Sequence, residues 1–408
     1  MKILVVNGDC IQTNSSANLC HIAYLNGLVE AGYDVTLLSA DGRDYELDKS
    51  IVIPDSIKQY TYYGVTYYER LSLRKKHHEQ SVNDALSSQQ QDIENISIKQ
   101  KLVTQAKSIA LASYGVHGIY SKFVRVAQKF RSDENFDYVI SISTPVTSHL
   151  LTHKLLKAKH IKAKHWIQVW EDPWYSDAYG FNGKSKIYKE EKRLLSFAER
   201  VCYVSPLTLE NQKRLFPESA DKMYWQPLPY YYKNTEDENF ASVNNQYGYF
   251  GDYAPESRDL EPFYLAAKGL SVSVNICGRP SNLFESTDKI NIYPRLPLDK
   301  LRPIEDKTNV LVFLCNRKGG QIPGKIYQYS ATNKTILFIL DGTPEEKEVL
   351  KNYFEKFNRY VFCENTVEDI ERAIKDIESG NLGDVVNEPI EDFNPTETIR
   401  KILAGENG

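Results

Sequence analysis

The feature that most constrains the fold of this chain is a repeated alternation of short apolar strands, polar loops and helices. The first forty residues contain one complete unit: a strand at residues 2–6, a loop at 8–16, a helix at 17–31 and a strand at 35–39. Because these strands are apolar along their whole length, the unit is typical of a βαβ crossover in a parallel sheet. The sequence therefore predicts an α/β fold.

Two series of such units divide the chain. The first continues through strands and helices at residues 138–204, and the second occupies residues 247–379. Residues 226–229 (Gln-Pro-Leu-Pro) and the polar stretch after them have the composition of a linker. We therefore predict two domains, residues 1–228 and 229–392. A final segment at 393–408 carries a helix that we expect to pack back on the first domain.

Residues 45–135 interrupt the first series. They contain a tyrosine-rich run at 60–68, the basic run Arg74-Lys75-Lys76-His77-His78 and a glutamine-rich stretch. A long helical pattern follows, from about residue 98 to residue 131. We predict that these residues form an insertion in the first domain.

Charge and hydropathy argue against several classes of protein. Fifty basic and 54 acidic side chains give a net charge of -4, whereas a protein that binds nucleic acid over much of its surface is usually strongly basic. The apolar runs are far shorter than the ~20 residues that span a bilayer, and the N-terminal run is too short for a signal peptide. The six cysteines form no C-x-x-C pair. We predict a reduced, cytoplasmic protein without a nucleic-acid partner.

The loop at residues 8–16 is the first candidate site, because it joins a strand to a helix. Backbone amides and the helix dipole at such a junction favour an anion or a polar ligand. Ser15 and Ser16 end this loop, which lacks the G-x-G-x-x-G pattern of dinucleotide-binding proteins. An ordinary connecting loop is the alternative interpretation.

A second candidate is the sequence Trp-Glu-Asp-Pro-Trp at residues 170–174. An apolar strand ends here directly in Glu171 and Asp172. Ligands of doubly wound sheets bind at the carboxyl ends of strands, so these carboxylates are predicted to face a ligand. The alternatives are a helix-capping aspartate or a solvated pair of acids.

A third candidate is the stretch Asn316-Arg317-Lys318-Gly319-Gly320-Gln321-Ile322-Pro323-Gly324-Lys325. It follows an apolar strand and precedes a helix, and its glycines and cations suit a diphosphate. Its spacing is not that of a Walker A loop, and a solvated loop is the alternative. The loop from Gly251 to Arg258 is a parallel case after the first strand of the second series.

Metal ligands are not evident in the sequence. His149 and His153 have i, i+4 spacing, but neither the H-E-x-x-H pattern nor a third ligand accompanies them, so a structural role is favoured. The chain contains no D-x-D triplet, which argues against the metal-chelating type of sugar-nucleotide enzyme. We therefore predict neither a metal nor a cofactor.

Taken together, these segments resemble the retaining glycosyltransferases of family 4. The segments that carry the resemblance match in order over nearly the whole chain: the opening strand, loop and helix with A-G-Y-D-V-T-L-L, the E-D-P-W stretch, F-A-E-R-V-C-Y-V-S at 197–205, the Y-F-G…R-D-L stretch at 249–260, and I-P-G-K-I-Y-Q-Y at 322–329. The last is the most specific. The resemblance implies the GT-B fold, with two Rossmann-like domains that face a central cleft.

The resemblance also implies roles for individual residues. A nucleotide-sugar, often UDP-linked, would bind the second domain, with Arg258 and Lys325 facing its diphosphate and Gln328 at the position of a glutamate that binds the ribose. Gly320 stands where the family has the earlier glutamate of an E-x7-E pair, so both carboxylates are absent. The other residues expected near the donor are Gly251, Gln321 and Ile322.

The first domain would bind the acceptor. Asp172 is the predicted polar contact to the sugar or acceptor, with Glu171 as second choice, and Ser15 and Ser16 would approach the donor phosphates or the acceptor. Tyrosines at 60–68 in the insertion, Tyr67 and Tyr68 among them, and at 230–232 between the domains are expected to stack on sugar rings.

The predicted function is therefore transfer of a sugar from a nucleotide-sugar to a glycan or lipid-linked acceptor in polysaccharide biosynthesis. A lipid-linked acceptor would bring the protein to the inner membrane surface, to which Arg74-Lys75-Lys76 and the helix with Lys107, Lys122, Arg125, Lys129 and Arg131 would bind. Alternatively, those cations lie on a helix face that contacts only solvent. The alternatives for the whole chain are a catalytically degenerate binding subunit and a nucleotide-sugar epimerase.

Overall fold

A computed structural model describes residues 1–67, 69–70, 116–177, 185–234 and 245–408. The chain divides into two compact units. The first comprises Met1–Thr13, Gly32–Tyr175 and Gly180–Val201, and the second comprises Asn14–Ala31, Ser176–Tyr179 and Cys202–Gly408. The basic run at 74–78, Tyr68 and Lys107 lie outside the described residues.

The N-terminal part of the chain forms a seven-stranded sheet with the order β3-β2-β1-β4-β5-β6-β7. Its strands are β1 (Lys2–Asn7), β2 (Asp34–Ala40), β3 (Lys58–Tyr62), β4 (Asn135–Ser143), β5 (Lys162–Trp170), β6 (Arg200–Tyr203) and β7 (Met223–Trp225). Strand β1 pairs in parallel with β2 and β4, so that Val5 lies opposite Leu37 on one side and Ile140 on the other. The apolar runs of β1, β2 and β4 are buried, as expected for a parallel sheet with two covered faces.

Helices connect and flank these strands. They are α1 (Ser16–Glu30), α2 (Ser121–Ala127), α3 (Thr147–Lys157), α4 (Ser185–Phe197) and α5 (Pro206–Leu215), with short 3₁₀ helices at Gly118–Tyr120 and Pro217–Lys222. Ser15 caps α1 by accepting a hydrogen bond from the Asn18 backbone N–H (3.1 Å), and Ser205 is the corresponding cap of α5.

The second unit contains a six-stranded parallel sheet with the order β10-β9-β8-β11-β12-β13. Its strands are β8 (Gln246–Phe250), β9 (Ser273–Cys277), β10 (Ile290–Tyr293), β11 (Val310–Leu314), β12 (Thr335–Leu340) and β13 (Tyr360–Glu364). Its helices are α6 (Glu261–Leu270), α7 (Leu298–Asp306), α8 (Lys325–Tyr329), α9 (Pro344–Glu355), α10 (Val367–Glu378) and α11 (Pro395–Ala404), with a 3₁₀ helix at Glu391–Phe393.

Both sheets are doubly wound. In each, the strand that comes first along the chain lies between the second strand and the fourth. In the second sheet β8 therefore lies between β9 and β11, and the chain leaves β8 and β11 in opposite directions. Such a switch in strand order creates a crevice at the carboxyl ends of the strands. The two loops predicted to bind a ligand, after β8 and after β11, flank this switch point.

Helix α1 packs against α11 within the second compact unit. At Gly27 the contact is so close that a Cβ atom would lie 2.3 Å from the Pro395 carbonyl oxygen. The Thr396 hydroxyl donates to the Glu30 carboxylate (3.0 Å), and the terminal Gly408 N–H donates to the Trp225 carbonyl (3.0 Å). Packing of residues 393–408 on the first predicted domain stays a prediction, as do the predicted domain boundaries.

Three elements differ from the sequence-based expectations. Strand β3 lies inside the predicted insertion and pairs with β2, but its residues are mostly exposed and lack an apolar run. Strand β7 has only three residues, and α7 contains Pro303 and buries only Leu301. Exposed residues in β3, the short length of β7 and the internal proline of α7 therefore concealed these elements in the sequence.

Candidate functional site

The candidate site lies on two loops at the carboxyl ends of β8 and β11. The β8–α6 loop (residues 251–259) begins at Gly251, whose N–H donates to the Cys277 carbonyl at 2.9 Å. Gly278 must be glycine here, because a Cβ would lie 1.9 Å from the Gly251 carbonyl oxygen. The neighbouring β9 loop is thus packed directly against the start of the β8–α6 loop.

Arg258 closes the β8–α6 loop. Its backbone exchanges hydrogen bonds with Ala254 (2.8 and 3.1 Å), so the loop turns back on itself. A Cβ at Gly251 would lie 3.8 Å from the Arg258 guanidinium. Burial raises the pKa of the nearby Tyr249 hydroxyl to about 12, and the Arg258 charge opposes that rise. The half-buried Arg258 therefore lies near Gly251 at the end of β8, and its contact with a donor stays a prediction.

Arg317 joins the two loops. Its backbone N–H donates to the Ser257 carbonyl at 2.8 Å, and its guanidinium donates to the Pro255 carbonyl at 2.6 Å. The same guanidinium lies 3.7 Å from the Asp259 carboxylate. The β11–α8 loop (residues 316–324) and the β8–α6 loop thus form one structure, and it carries both Arg258 and Arg317.

Two consecutive glycines shape the β11–α8 loop. Gly319 and Gly320 have φ angles of 96° and 67°, a region that other residues rarely adopt. The Gly320 carbonyl accepts a hydrogen bond from the Ser205 hydroxyl at 2.6 Å, and the Asn316 amide donates to the Gln321 carbonyl at 2.8 Å. The Gln321 amide donates to the Asp177 carboxylate at 3.4 Å, and Ile322 is buried.

Lys325 and Gln328 lie on the short helix α8. The Lys325 ammonium lies 3.2 Å from the Glu305 carboxylate of α7. The Gln328 amide N–H donates to the Tyr232 carbonyl (2.8 Å), while its oxygen accepts from the Tyr231 N–H (2.9 Å). The predicted donor contact of Gln328 stays a prediction, and in this structure its amide holds the backbone at residues 231–232.

The start of α1 approaches the end of the β11–α8 loop. A Cβ at Gly324 would lie 3.3 Å from the Ser16 hydroxyl oxygen and 3.9 Å from the Cys20 sulfur. Ser15 is engaged as the cap of α1. The structure therefore brings the Ser16 hydroxyl close to the β11–α8 loop, whereas the Ser15 hydroxyl caps α1.

Glu171 and Asp172 follow β5 in the first unit. Glu171 is buried and its N–H donates to the Ser143 carbonyl at 3.4 Å, whereas Asp172 is exposed. The turn after them is fixed by Glu191 of α4, whose carboxylate accepts from the backbone N–H groups of Tyr175 (2.5 Å) and Trp174 (3.5 Å). Burial raises the pKa of Glu191 to about 7, while these hydrogen bonds lower it.

Sequence reasoning missed Ser205, Glu305 and Glu191 as parts of this arrangement. The sequence could have predicted that Ser205 caps a helix, because a serine before a proline at a helix start is typical of an N-cap. For Glu305 no such prediction is possible, since it is 20 residues from Lys325 in sequence and lies on a short helix interrupted by Pro303. Glu191 reads as one of several charged residues in α4.

The described residues contain neither a metal-binding cluster nor a helix that could span a membrane. No cluster of three or more His, Cys, Asp or Glu side chains there has the geometry to hold a metal ion. None of the helices in the described ranges combines the length and the apolar character needed to cross a membrane. His149 and His153 make separate structural contacts. His149 is buried and hydrogen-bonded to the Ser141 hydroxyl (2.8 Å), and the ring of His153 stacks on Phe197.

Sequence comparisons give no family. No protein-family model matches this chain, and no curated protein sequence matches it significantly.

Structure comparisons give the fold. A sucrose-phosphate synthase from Thermosynechococcus elongatus superposes with a TM-score of 0.58 at 11% identity, covering 100% of this chain and 94% of the other. A glycosyltransferase from Rickettsia africae (TM-score 0.49, 12% identity, 100% and 94% covered) and a lipopolysaccharide outer core galactosyltransferase (0.47, 12%, 98% and 95%) are also similar. The chain has the GT-B fold of glycosyltransferases, with two Rossmann-like parallel-sheet domains.

Proposed function

We propose that the protein is a glycosyltransferase that uses a nucleotide-sugar donor. The observation that carries this proposal is the joined pair of loops at the switch point of the second sheet, with Arg258 near the end of β8 and Arg317 tying the loops together. Ligands of doubly wound sheets bind at this place, and cations with glycine-rich backbone suit a diphosphate.

The chemistry of sugar transfer explains the charge at this site. When the bond between the sugar and the diphosphate breaks, negative charge develops on the leaving diphosphate. Guanidinium groups bind phosphate oxygens in pairs of hydrogen bonds, so Arg258 is suited to hold the donor. We assign Lys325 to the same diphosphate, and a UDP-linked sugar is the donor that the resemblance favours.

The acceptor side of the proposal involves the first unit. We assign to the exposed Asp172 a polar contact with the sugar or acceptor, and to the buried Glu171 a supporting role. We assign positioning and proton transfer to these carboxylates and no covalent intermediate. Retention of configuration, a glycan or lipid-linked acceptor and a part in polysaccharide biosynthesis belong to the same proposal.

We also propose a cytoplasmic location with peripheral binding to the inner membrane surface. Lys122, Arg125, Lys129 and Arg131 are the cations of this proposal that lie within the described residues. Lys122 donates to the Val65 carbonyl and Arg131 to the Gln128 and Phe130 carbonyls. Co-sedimentation with vesicles containing anionic lipid tests it, because electrostatic binding to lipid weakens with salt. Absence of binding at low salt contradicts peripheral attachment.

A degenerate subunit that binds a nucleotide-sugar without transferring it is the second candidate. The positions of the E-x7-E pair hold Gly320 and Gln328, and the Gln328 amide bonds the backbone at Tyr231 and Tyr232. No carboxylate therefore occupies either position. This candidate predicts donor binding without turnover, which separates it from the transferase.

A thermal-shift screen against UDP, GDP, ADP and CMP and their sugar conjugates tests donor binding. A ligand at about 100 times its Kd stabilises the folded state by ~2.7 kcal/mol and raises the melting temperature. Arg258→Ala and Lys325→Ala should weaken binding of the responding nucleotide by about tenfold or more, since each removes a charged contact. Lys289→Ala is the matched control, because Lys289 lies at the amino end of β10, whereas the candidate site lies at the carboxyl ends of the strands. No response to any nucleotide contradicts the proposal.

Turnover separates the two candidates. Incubation with the responding nucleotide-sugar, with and without a glycan or lipid-linked acceptor, should release the nucleoside diphosphate. The anomeric configuration of the transferred sugar, read by NMR coupling constants, tests retention. Binding without release over many hours supports the degenerate subunit.

A further inference from the structure

We propose that Ser205 is a positioning residue that sets the conformation of the β11–α8 loop for the donor diphosphate. The inference rests on the proposed function, because it concerns the loop assigned there to the donor. Ser205 acts through a backbone contact and does not itself touch the ligand.

The Ser205 hydroxyl is buried between two partners. It donates its proton to the Gly320 carbonyl at 2.6 Å and accepts from the Thr208 backbone N–H at 3.5 Å. Ser205 is completely inaccessible to solvent. A hydroxyl has one proton, so the short contact to Gly320 fixes the direction in which that proton points.

The Gly320 side of the contact is equally constrained. Gly320 adopts a φ of 67°, and a Cβ at this position would lie 2.7 Å from the Leu207 Cβ atom. Leu207 and Ser205 belong to the same segment, the end of β6 and the start of α5. One short segment therefore both leaves no room for a side chain at residue 320 and bonds the Gly320 carbonyl.

The hydrogen bond determines how the peptide between Gly320 and Gln321 is oriented. The carbonyl and the N–H of a trans peptide point in opposite directions, so fixing the carbonyl fixes the peptide plane. The preceding Gly319 also has a positive φ of 96°, and the peptide oriented by Ser205 carries the Gln321 N–H, a donor whose direction is thereby fixed. Such preorganised donors stabilise a developing oxyanion without rearranging during the reaction.

A helix cap alone does not require this arrangement. Capping uses only the acceptor capacity of the side chain, as Thr366 does when it accepts from the Asp369 N–H at 3.2 Å. Ser205 caps α5 and also donates to another segment. The donated hydrogen bond therefore distinguishes Ser205 from the capping residue Thr366. This bond is what we assign to function.

Isothermal titration of UDP into the full-length protein tests the role. Ser205→Ala should weaken UDP binding by about tenfold, since the loop loses the bond that orients its peptide. Ser205→Thr retains a hydroxyl and should restore binding to within about threefold of the unsubstituted protein. Thr366→Ala removes a cap from α10 in the same unit and should leave UDP affinity unchanged. Melting temperatures of all variants report the structural cost separately.

Each result has one interpretation. Weakened binding in Ser205→Ala with recovery in Ser205→Thr supports the positioning role. Unchanged affinity in Ser205→Ala, at whatever melting temperature, overturns it while the donor assignment stands. If Ser205→Ala does not fold, Ser205→Cys, whose thiol is a weak donor, replaces it with the same expectation. If the unsubstituted protein binds none of the nucleoside diphosphates, the proposed function itself is contradicted, and the positioning role with it.

Discussion

The Lys325 ammonium lies 3.2 Å from the Glu305 carboxylate, and the two side chains are only 32% and 14% exposed. The contact connects the start of α8 with the end of α7. Lys325 is one of the two cations that the resemblance assigns to the donor, and its contact with Glu305 holds its ammonium at the end of α7. An ion pair that is partly shielded from water is stronger than one on an open surface.

We expect a measurable coupling between these two residues. In a double-mutant cycle with Lys325→Met and Glu305→Gln, the coupling free energy of unfolding should be about 1 kcal/mol, reduced from that of a buried pair by the remaining exposure of Lys325. Urea denaturation of the four proteins measures it. The Lys375–Glu371 pair of α10, more exposed at 62% and 33%, is the control and should couple by about 0.3–0.5 kcal/mol. Strictly additive effects at Lys325 and Glu305 would show that the contact does not contribute.

Glu191 should make stability depend on pH. Burial raises its pKa from 4.5 to about 7, with the Tyr175 and Trp174 N–H groups acting against the rise. The folded state therefore binds more protons than the unfolded state between these values, and the free energy of unfolding falls as pH rises from about 4.5 through 7. The whole shift corresponds to about 3 kcal/mol.

The Glu191→Gln variant isolates this contribution, because an amide does not titrate. As pH rises from 5 to 8, the free energy of unfolding of the unsubstituted protein should fall by about 2–3 kcal/mol more than that of the variant. Urea denaturation at four pH values measures the difference. Parallel pH profiles for the two proteins would contradict a titration of Glu191 in this range.

Gly27→Ala should be strongly destabilising. The added Cβ would lie 2.3 Å from the Pro395 carbonyl oxygen, so α1 and α11 must separate. Overpacking of this kind costs about 1–3 kcal/mol and more where backbone must move. Gly269→Ala in α6 is the matched control, because its Cβ meets only the end of the Glu371 side chain at 3.4 Å. That variant should be stabilised by up to about 1 kcal/mol. Equal melting temperatures for the two variants would contradict the close packing of α1 on α11.

Arg359 is a structural cation rather than a ligand-binding one. Its guanidinium is buried and donates to the carbonyls of Thr332 (2.7 Å) and Lys334 (2.6 Å) and to the Asn387 amide oxygen (3.0 Å). Arg359→Met leaves these oxygens without their donors and should lower the free energy of unfolding by about 3 kcal/mol. The exposed Arg372→Ala should change it by less than about 0.5 kcal/mol. Unchanged nucleotide binding by the folded Arg359→Met protein would separate its role from the donor site.

The periodicity of the sequence was sufficient for the α/β fold and for most of its elements. Strand β11 is apolar at every position, and β12 at every position after Thr335, because both faces are covered. Helix α11 begins at Pro395 because proline suits the first turn of a helix. The predicted loops after β8 and β11 also lie together, because neighbouring parallel strands end at the same edge of a sheet.

The sequence did not predict which residues contact the site residues. The sequence by itself determined where the cations and glycines of the two loops stand along the chain, because their positions follow from where each strand ends. Only the tertiary structure decided that Lys325 pairs with Glu305, that Gln328 bonds the backbone near Tyr232, and that Ser205 bonds Gly320 across 115 residues. Local pattern reflects which face of an element is buried, whereas a hydrogen bond between distant residues depends on how separately formed elements pack.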